Sequence, residues 1–285
     1  MTCFCGKLML PTGFLESCVE IEGSEISSIA KAMRGCEQVD LILPGMIDLH
    51  VHMRGLGQRH KGDWRSESLA ALSGGVTVIA DMPNNVPKID NPGALKMKLE
   101  EASRESFVDF LLYTAYPYLS EMSVVIGVKI YPEDMTRGLN DVFKRASQLG
   151  KEVVVHAEDP ITLMEAESVS DVKKHSVARP EIAEEIAVAR SISLTMRYGN
   201  KLRIAHATLP STLTAVREAK AEGLQVRAEV TPHHLLFSTE DAESLGSLFK
   251  VNPPIRRPEV RRELLKMVEL GYADILVTDH APHSL

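Results

Sequence analysis

From Pro44 onward the chain alternates two patterns. Short runs rich in Val, Ile and Leu occur at 41–49, 76–82, 107–114, 124–130, 151–156, 201–206, 225–231 and 274–279. Between them lie stretches whose apolar positions recur at three- and four-residue spacing: 64–73, 93–104, 139–149, 181–198, 211–222 and 258–270. The first pattern predicts strands and the second amphipathic helices. The strand runs are apolar on successive residues rather than every second one. That predicts a parallel sheet covered on both faces, the signature of an α/β fold. One link departs from the rule, because residues 115–123 are too few for an ordinary crossover helix. Residues 1–43 read differently. Their apolar stretches ("FCGKLML", "CVEIEG", "SSIAKAM", "VDLIL") are separated by Gly, Pro and Ser, which predicts small β-strands.

A chain of 285 residues suits one barrel, which typically needs about 250. The net charge of −7 with no basic stripe argues against nucleic acid as a partner. Arg256, Arg257, Arg261 and Arg262 read as a solvated helix start. No apolar run approaches the roughly 20 residues of a membrane span. The N-terminus lacks a basic region followed by a long apolar core, so no signal peptide is expected. All four cysteines (Cys3, Cys5, Cys18, Cys36) lie in the first 36 residues. Cys3 and Cys5 share a strand face and could form half a metal site, but no second pair is spaced to complete it. Free thiols in a reducing cytoplasm are the expectation.

Candidate chemistry sits at the ends of the strand runs. His50 and His52 close "PGMIDLHVH", Lys129 lies in "VIGVKIY", and His156 closes "KEVVVH". His206 closes "KLRIAH" and Asp279 closes "DILVTD". A parallel β/α barrel brings the C-terminal ends of its strands to one face, where active sites are built. Singly, each residue is equally well explained as a hydrogen-bonded core group or a cap. Together, in this order and register, four His, one Lys and one Asp point to a metallohydrolase. A lysine on a buried strand needs a reason, because an unpaired buried ammonium is costly. An ion pair is one. The other is a depressed pKa that makes the amine nucleophilic toward carbon dioxide, giving a carbamate able to bridge two cations.

The blocks "PGMIDLHVHMRG", "GGVTVIADMPNNVP", "GVKIY", "VVVHAEDP", "IAHAT", "VTPHHLLFS", "VNPPIR" and "TDHAPHS" resemble the amidohydrolase superfamily. Within it they resemble the dihydroorotase family of the carboxylated-lysine type. The resemblance implies a TIM-like (β/α)8 barrel over residues 44–285 and an N-terminal segment, 1–43, of a small β-sandwich. It also implies two Zn2+: one on His50, His52 and Asp279, the other on His156 and His206, with carboxylated Lys129 bridging them. Asp279 would shuttle the proton. Arg54, Asn84 and His283 would grip a substrate carboxylate, and Asn252 would reach the ring. Thr136 would contribute from the loop after Lys129. His233 and His234 are expected to make hydrogen bonds only.

The implied reaction is the reversible closure of N-carbamoyl-L-aspartate to L-dihydroorotate and water, in pyrimidine biosynthesis. Two alternatives stand beside it: an allantoinase or dihydropyrimidinase, and a non-catalytic relative that serves aspartate transcarbamoylase as a scaffold. The resemblance leaves a second copy of the chain and aspartate transcarbamoylase open as partners. Two departures are visible. The family's Arg-Glu-Pro-Gly after the H-x-H is replaced by "RGLGQRHKGDW", and six residues follow Asp279. The last barrel helix and the closing sandwich strands are therefore expected to be missing from this chain.

Overall fold

The computed structural model describes residues 2–166 and 171–284. It divides into two compact units, Met1–Met46 and Ile47–Leu285. The first holds four strands, β1 (Thr2–Leu10), β2 (Gly13–Glu22), β3 (Glu25–Ala30) and β4 (Glu37–Ile42). They form one sheet in the order β3-β2-β1-β4. β1 and β2 are an antiparallel hairpin, and β4 runs parallel to β1. The expectation of free thiols does not hold: Cys3 is bonded to Cys36, and Cys5 to Cys18. The cause lies in the pairing, which sets Cys18 directly opposite Cys5 and brings Cys36 in beside β1.

In the second unit eight strands follow in strict sequence order. They are β5 (Met46–Val51), β6 (Val76–Asp81), β7 (Asp109–Ala115), β8 (Val125–Ile130), β9 (Glu152–Val155), β10 (Lys201–Ile204), β11 (Val226–Val230) and β12 (Ile275–Leu276). Each pairing given for β6 through β12 is parallel. The apolar run 41–49 therefore splits. Its start belongs to β4, and β5 begins only at Met46. β12 is also shorter than its run, because Asp279 takes a left-handed φ of 52° and turns the chain.

The ring is nearly closed through the segment after β12. Val51 bridges His280, and His52 N–H donates to the His280 carbonyl at 2.7 Å. Thr278 Oγ1 donates to Asp48 Oδ2 at 2.5 Å. Six long helices cover the strands: Trp64–Ser73, Pro92–Glu105, Asn140–Leu149, Glu181–Tyr198, Pro210–Ala221 and Pro258–Glu269. The link from β7 to β8 carries no helix, as its length required. No helix among the described residues is long and apolar enough to cross a membrane.

The apolar core lies mainly between strands and helices, around Val128, Phe143, Val153, Leu202, Ile204 and Leu213. Inside the barrel, Ala80, Met82, Tyr113, Val154 and Ala205 pack with a buried charged set. There Arg203 pairs with Glu152 at 2.9 Å and with Glu229 at 2.7 Å, and hydrogen-bonds the Tyr113 hydroxyl. Arg256, expected at a solvated helix start, is instead 3% exposed. Its guanidinium lies 3.5 Å from Glu184 and donates to Thr208 Oγ1 at 2.8 Å. A buried guanidinium persists because those partners replace its water.

Candidate active site

The strand ends open into one cavity of about 950 Å3. His50, His52, Arg54, Asn84, Lys129, His156, His206, Asn252, Asp279 and His283 all line it, as does Thr136. The residues the resemblance implied for metal, proton transfer and substrate are thus brought to one place.

His50 lies at the end of β5 with both ring nitrogens engaged. Nδ1 is 2.8 Å from Glu229 Oε2, and Nε2 is 3.4 Å from Asp279 Oδ1. Burial pushes Glu229 upward, but Arg203 and His50 together hold its pKa down at about 2. An ionised carboxylate only accepts hydrogen bonds, so His50 Nδ1 must be the protonated nitrogen. Burial, then the Lys129 charge, lowers the His50 pKa to about 4, so the ring is neutral and Nε2 carries a lone pair. That lone pair faces Asp279. Burial would raise the Asp279 pKa, yet His50, His52 and His206 hold it well below its usual value, so it too is an anion.

His52 repeats the arrangement. Nδ1 is 2.6 Å from Asn84 Oδ1, which accepts, and Nε2 is 3.0 Å from Asp279 Oδ1. Three side-chain atoms able to ligate a cation, His50 Nε2, His52 Nε2 and a carboxylate oxygen, therefore converge, all within 4.8 Å of one another. Imidazole with carboxylate is a donor set that zinc accepts.

His156 and His206 stand beside it, with ring centroids 4.5 Å apart, and the His206 ring is 5.2 Å from that of His50. His156 Nε2 meets Glu158 Oε2 at 2.6 Å, and Arg179 holds the same carboxylate. His206 Nδ1 is buried with no hydrogen-bond partner, a vacant donor position that fits a ligand. Burial, then His156 and Lys129, pushes the His206 pKa well down, which keeps the ring neutral with one nitrogen able to act as a ligand. Lys129 Nζ is 3.5 Å from His50 Nε2. Burial lowers its pKa to about 8, against the pull of Glu229 and Asp279.

The cavity's far wall is held by polar tethers. Arg54 donates from Nε to the Pro282 carbonyl at 3.0 Å and from Nη2 to His283 Nε2 at 3.1 Å. Buried Lys98 ties the loop after β6 by contacting Asp81 Oδ2 at 2.6 Å, the Met82 carbonyl at 2.7 Å and Asn85 Oδ1 at 2.9 Å. Asn85 in turn donates to the Arg54 carbonyl. Among the described residues four non-glycines have positive φ: Arg54, Leu56, His206 and Asp279. Each such backbone costs about 1–3 kcal/mol and persists only where the surroundings fix it. Three of the four line the cavity. Asn252 Oδ1 is 2.8 Å from His175 Nε2.

Sequence reasoning missed Glu229, Arg203, Tyr131 and Arg179. Glu229 and Arg203 carry the same signal that marked Lys129, a charge inside an apolar strand. His234 makes the hydrogen bonds expected of it, to Thr231 Oγ1 at 2.7 Å and to the Pro253 carbonyl at 3.0 Å. His233 differs: it lines the cavity, and its Nε2 has no partner.

A family model described as dihydro-orotase-like matches residues 39–117. The chain is similar to the dihydroorotase of Pyrobaculum aerophilum, 35% identical over 288 aligned positions, which cover 95% of this chain and 70% of the relative. The dihydroorotases of Methanothermobacter thermautotrophicus (34%) and Aeropyrum pernix (36%) match with 64% and 66% of their lengths covered. The chain thus spans about two thirds of the length of these relatives. Among solved structures it resembles the L-hydantoinase (dihydropyrimidinase) from Arthrobacter aurescens. That match has a TM-score of 0.89 at 25% identity and covers 99% of this chain and 69% of the other. A D-hydantoinase from Bacillus sp. AR9 shares the fold, with a TM-score of 0.87 at 23% identity, over 100% of this chain and 70% of the other.

Proposed function

The chain belongs to the dihydroorotase family of cyclic-amide hydrolases, and from that premise we propose that it interconverts N-carbamoyl-L-aspartate and L-dihydroorotate in pyrimidine biosynthesis. The observation that carries the reading is the convergence of His50 Nε2, His52 Nε2 and Asp279 Oδ1, a donor set able to hold a cation.

In this reading His50, His52 and Asp279 would hold one Zn2+, and His156 and His206 a second. Lys129 would serve both as a carbamate, formed when its neutral amine adds carbon dioxide and releases one proton. A pKa of about 8 leaves a working fraction of neutral amine near neutrality. When bound, the ions would polarise the ring carbonyl and lower the pKa of the attacking water.

The chain's own residues do the rest. Asp279 takes the proton of the attacking water on a carboxylate oxygen and delivers it to the leaving ring nitrogen. Glu229 keeps the His50 ring oriented with Nε2 inward. Arg54 and Asn84 receive the exocyclic carboxylate, and an Arg fork suits that planar anion. His283, neutral because burial and Arg54 lower its pKa, accepts from Arg54 and holds it in place. Asn252 approaches the ring from the opposite wall, with Thr136 nearby. Apart from the metal cluster and the Arg179–Glu158 pair, Arg54, Lys61 and Lys250 line the cavity against Glu133. In a chain of net charge −7 that local excess favours a doubly anionic substrate.

The test is turnover by the purified chain supplied with Zn2+ and bicarbonate. Dihydroorotate should be opened, and carbamoyl aspartate closed, faster than hydantoin or allantoin is opened. A preference for hydantoin or allantoin would shift the reading to a hydantoinase or allantoinase. No turnover of any of them with metal bound would favour a non-catalytic scaffold.

A further inference from the structure

All four cysteines of the chain meet at one place in the N-terminal sheet. β1 is an inner strand with β2 on one side and β4 on the other. Cys3 and Cys5 stand two residues apart on it, so their side chains share a face. Cys18 is directly opposite Cys5 on β2. Cys36 immediately precedes β4, whose Glu37 pairs with Phe4. Three strands thereby deliver four sulfurs from positions with no recognisable metal spacing in the sequence.

The sulfurs are joined as Cys3–Cys36 and Cys5–Cys18, with Cα–Cα separations of 4.6 and 4.0 Å. The two bridges are also neighbours, since the Sγ atoms of Cys3, Cys5 and Cys36 lie within 4.8 Å of one another. Two staples serving only to tie strands together have no need to touch. In a tetrahedral thiolate site with Zn–S of about 2.3 Å, the sulfurs sit about 3.8 Å apart. Cys3, Cys5 and Cys36 already hold their sulfurs within 4.8 Å of one another, and opening both bridges frees all four to move to that spacing. Met33 Sδ lies 3.7 Å from Cys3 Sγ, adding a soft thioether to the surroundings. Cys5 and Cys18 are buried, and a cavity of about 230 Å3 bounded by both, with Lys31, Met33 and Glu16, adjoins them.

We propose that Cys3, Cys5, Cys18 and Cys36 together bind one Zn2+ in the reduced protein, and that the two disulfides are the oxidised form of the same site. Two equivalents of a dithiol reduce both bridges to four thiols, each dithiol closing to its own cyclic disulfide. Zn2+ then displaces four sulfur-bound protons and leaves a centre of net charge −2, beside which Lys31 supplies a cation. Four protein ligands close the coordination shell, so the ion is structural rather than catalytic. Soft thiolates also separate it from the imidazole and carboxylate donors of the barrel.

Co2+ reads this site selectively, because thiolate-to-Co2+ charge transfer absorbs in the near ultraviolet and imidazole or carboxylate ligands give no such band. The full-length reduced chain is titrated with Co2+ under argon. The band should rise to the intensity of one four-thiolate Co2+ site per chain, whatever Co2+ the barrel also takes up, and vanish when Zn2+ is added. Zn2+ should also protect all four cysteines of the reduced chain from iodoacetamide, read by mass. Cys3→Ser and Cys36→Ser should each weaken or abolish the band. If those variants fail to fold, the band and the protection in the unaltered chain decide alone. Absence of the band, or full alkylation in the presence of Zn2+, would overturn the proposal.

Discussion

Glu229 Oε2 lies 2.8 Å from His50 Nδ1, and neither side chain is more than 1% exposed. This contact extends the barrel's internal ion pairs to the cavity. Glu152 and Glu229 both pair with Arg203, and Glu229 then fixes which nitrogen of His50 faces Asp279. A buried ion pair of this kind adds little net stability compared with an apolar substitute, but breaking it on one side is costly.

Glu229→Gln should therefore act in two ways. Metal affinity should fall by about 10–100-fold, as it does when the hydrogen-bond partner of a ligating histidine is removed. Stability should fall by about 3–5 kcal/mol, because Arg203 loses a charge partner in the interior. Metal titration and urea unfolding read the two effects separately. Unchanged metal affinity would mean that Glu229 serves the fold alone.

Asp279→Asn should abolish turnover while the metal is largely retained. The amide keeps an oxygen for the cation but cannot carry the proton. Metal content is measured by elemental analysis on the same sample used for the assay. Complete loss of metal would make Asp279 chiefly a ligand.

Arg54→Met should weaken substrate binding and leave the chemical step less affected. Loss of a charged hydrogen bond to a carboxylate is worth about 1.5–3 kcal/mol, which raises KM about tenfold or more. An unchanged KM for dihydroorotate would remove Arg54 from the carboxylate site.

Lys98→Met probes the scaffold behind Arg54. It strips Asp81, which is fully buried, of its ammonium partner and frees the loop that carries Asn84 and Asn85. A loss of about 3–5 kcal/mol is expected in urea unfolding, together with weaker substrate binding. Near-native stability would show that Asp81 takes up its proton or another partner without strain.

The barrel was legible because each strand run is a continuous apolar block and each helix carries a distinct period. The ten candidate site residues stand out because the family-like blocks that hold them are present in this chain, and all ten line one cavity. What stayed hidden depends on partners distant in sequence. Arg256 reads as a solvated residue until Glu184, on another helix, is placed 3.5 Å away. Cys18 and Cys36 read as unrelated thiols until β-pairing sets them against Cys5 and Cys3. Arg203 and Glu229 are hidden for a different reason: Arg203 lies in "KLRIAHAT", three residues before His206, and Glu229 in "QVRAEVT", a block with no histidine. Local pattern gives no sign that two buried charges on neighbouring strands neutralise one another.

The proposed reaction rests on a two-ion centre joined by Lys129. An anomalous-scattering map of the Zn2+- and bicarbonate-loaded protein should show two peaks about 3.5–4 Å apart. One should be bounded by His50, His52 and Asp279, the other by His156 and His206, with carbamate density on Lys129 between them. A single peak beside an unmodified lysine, or none, would contradict it.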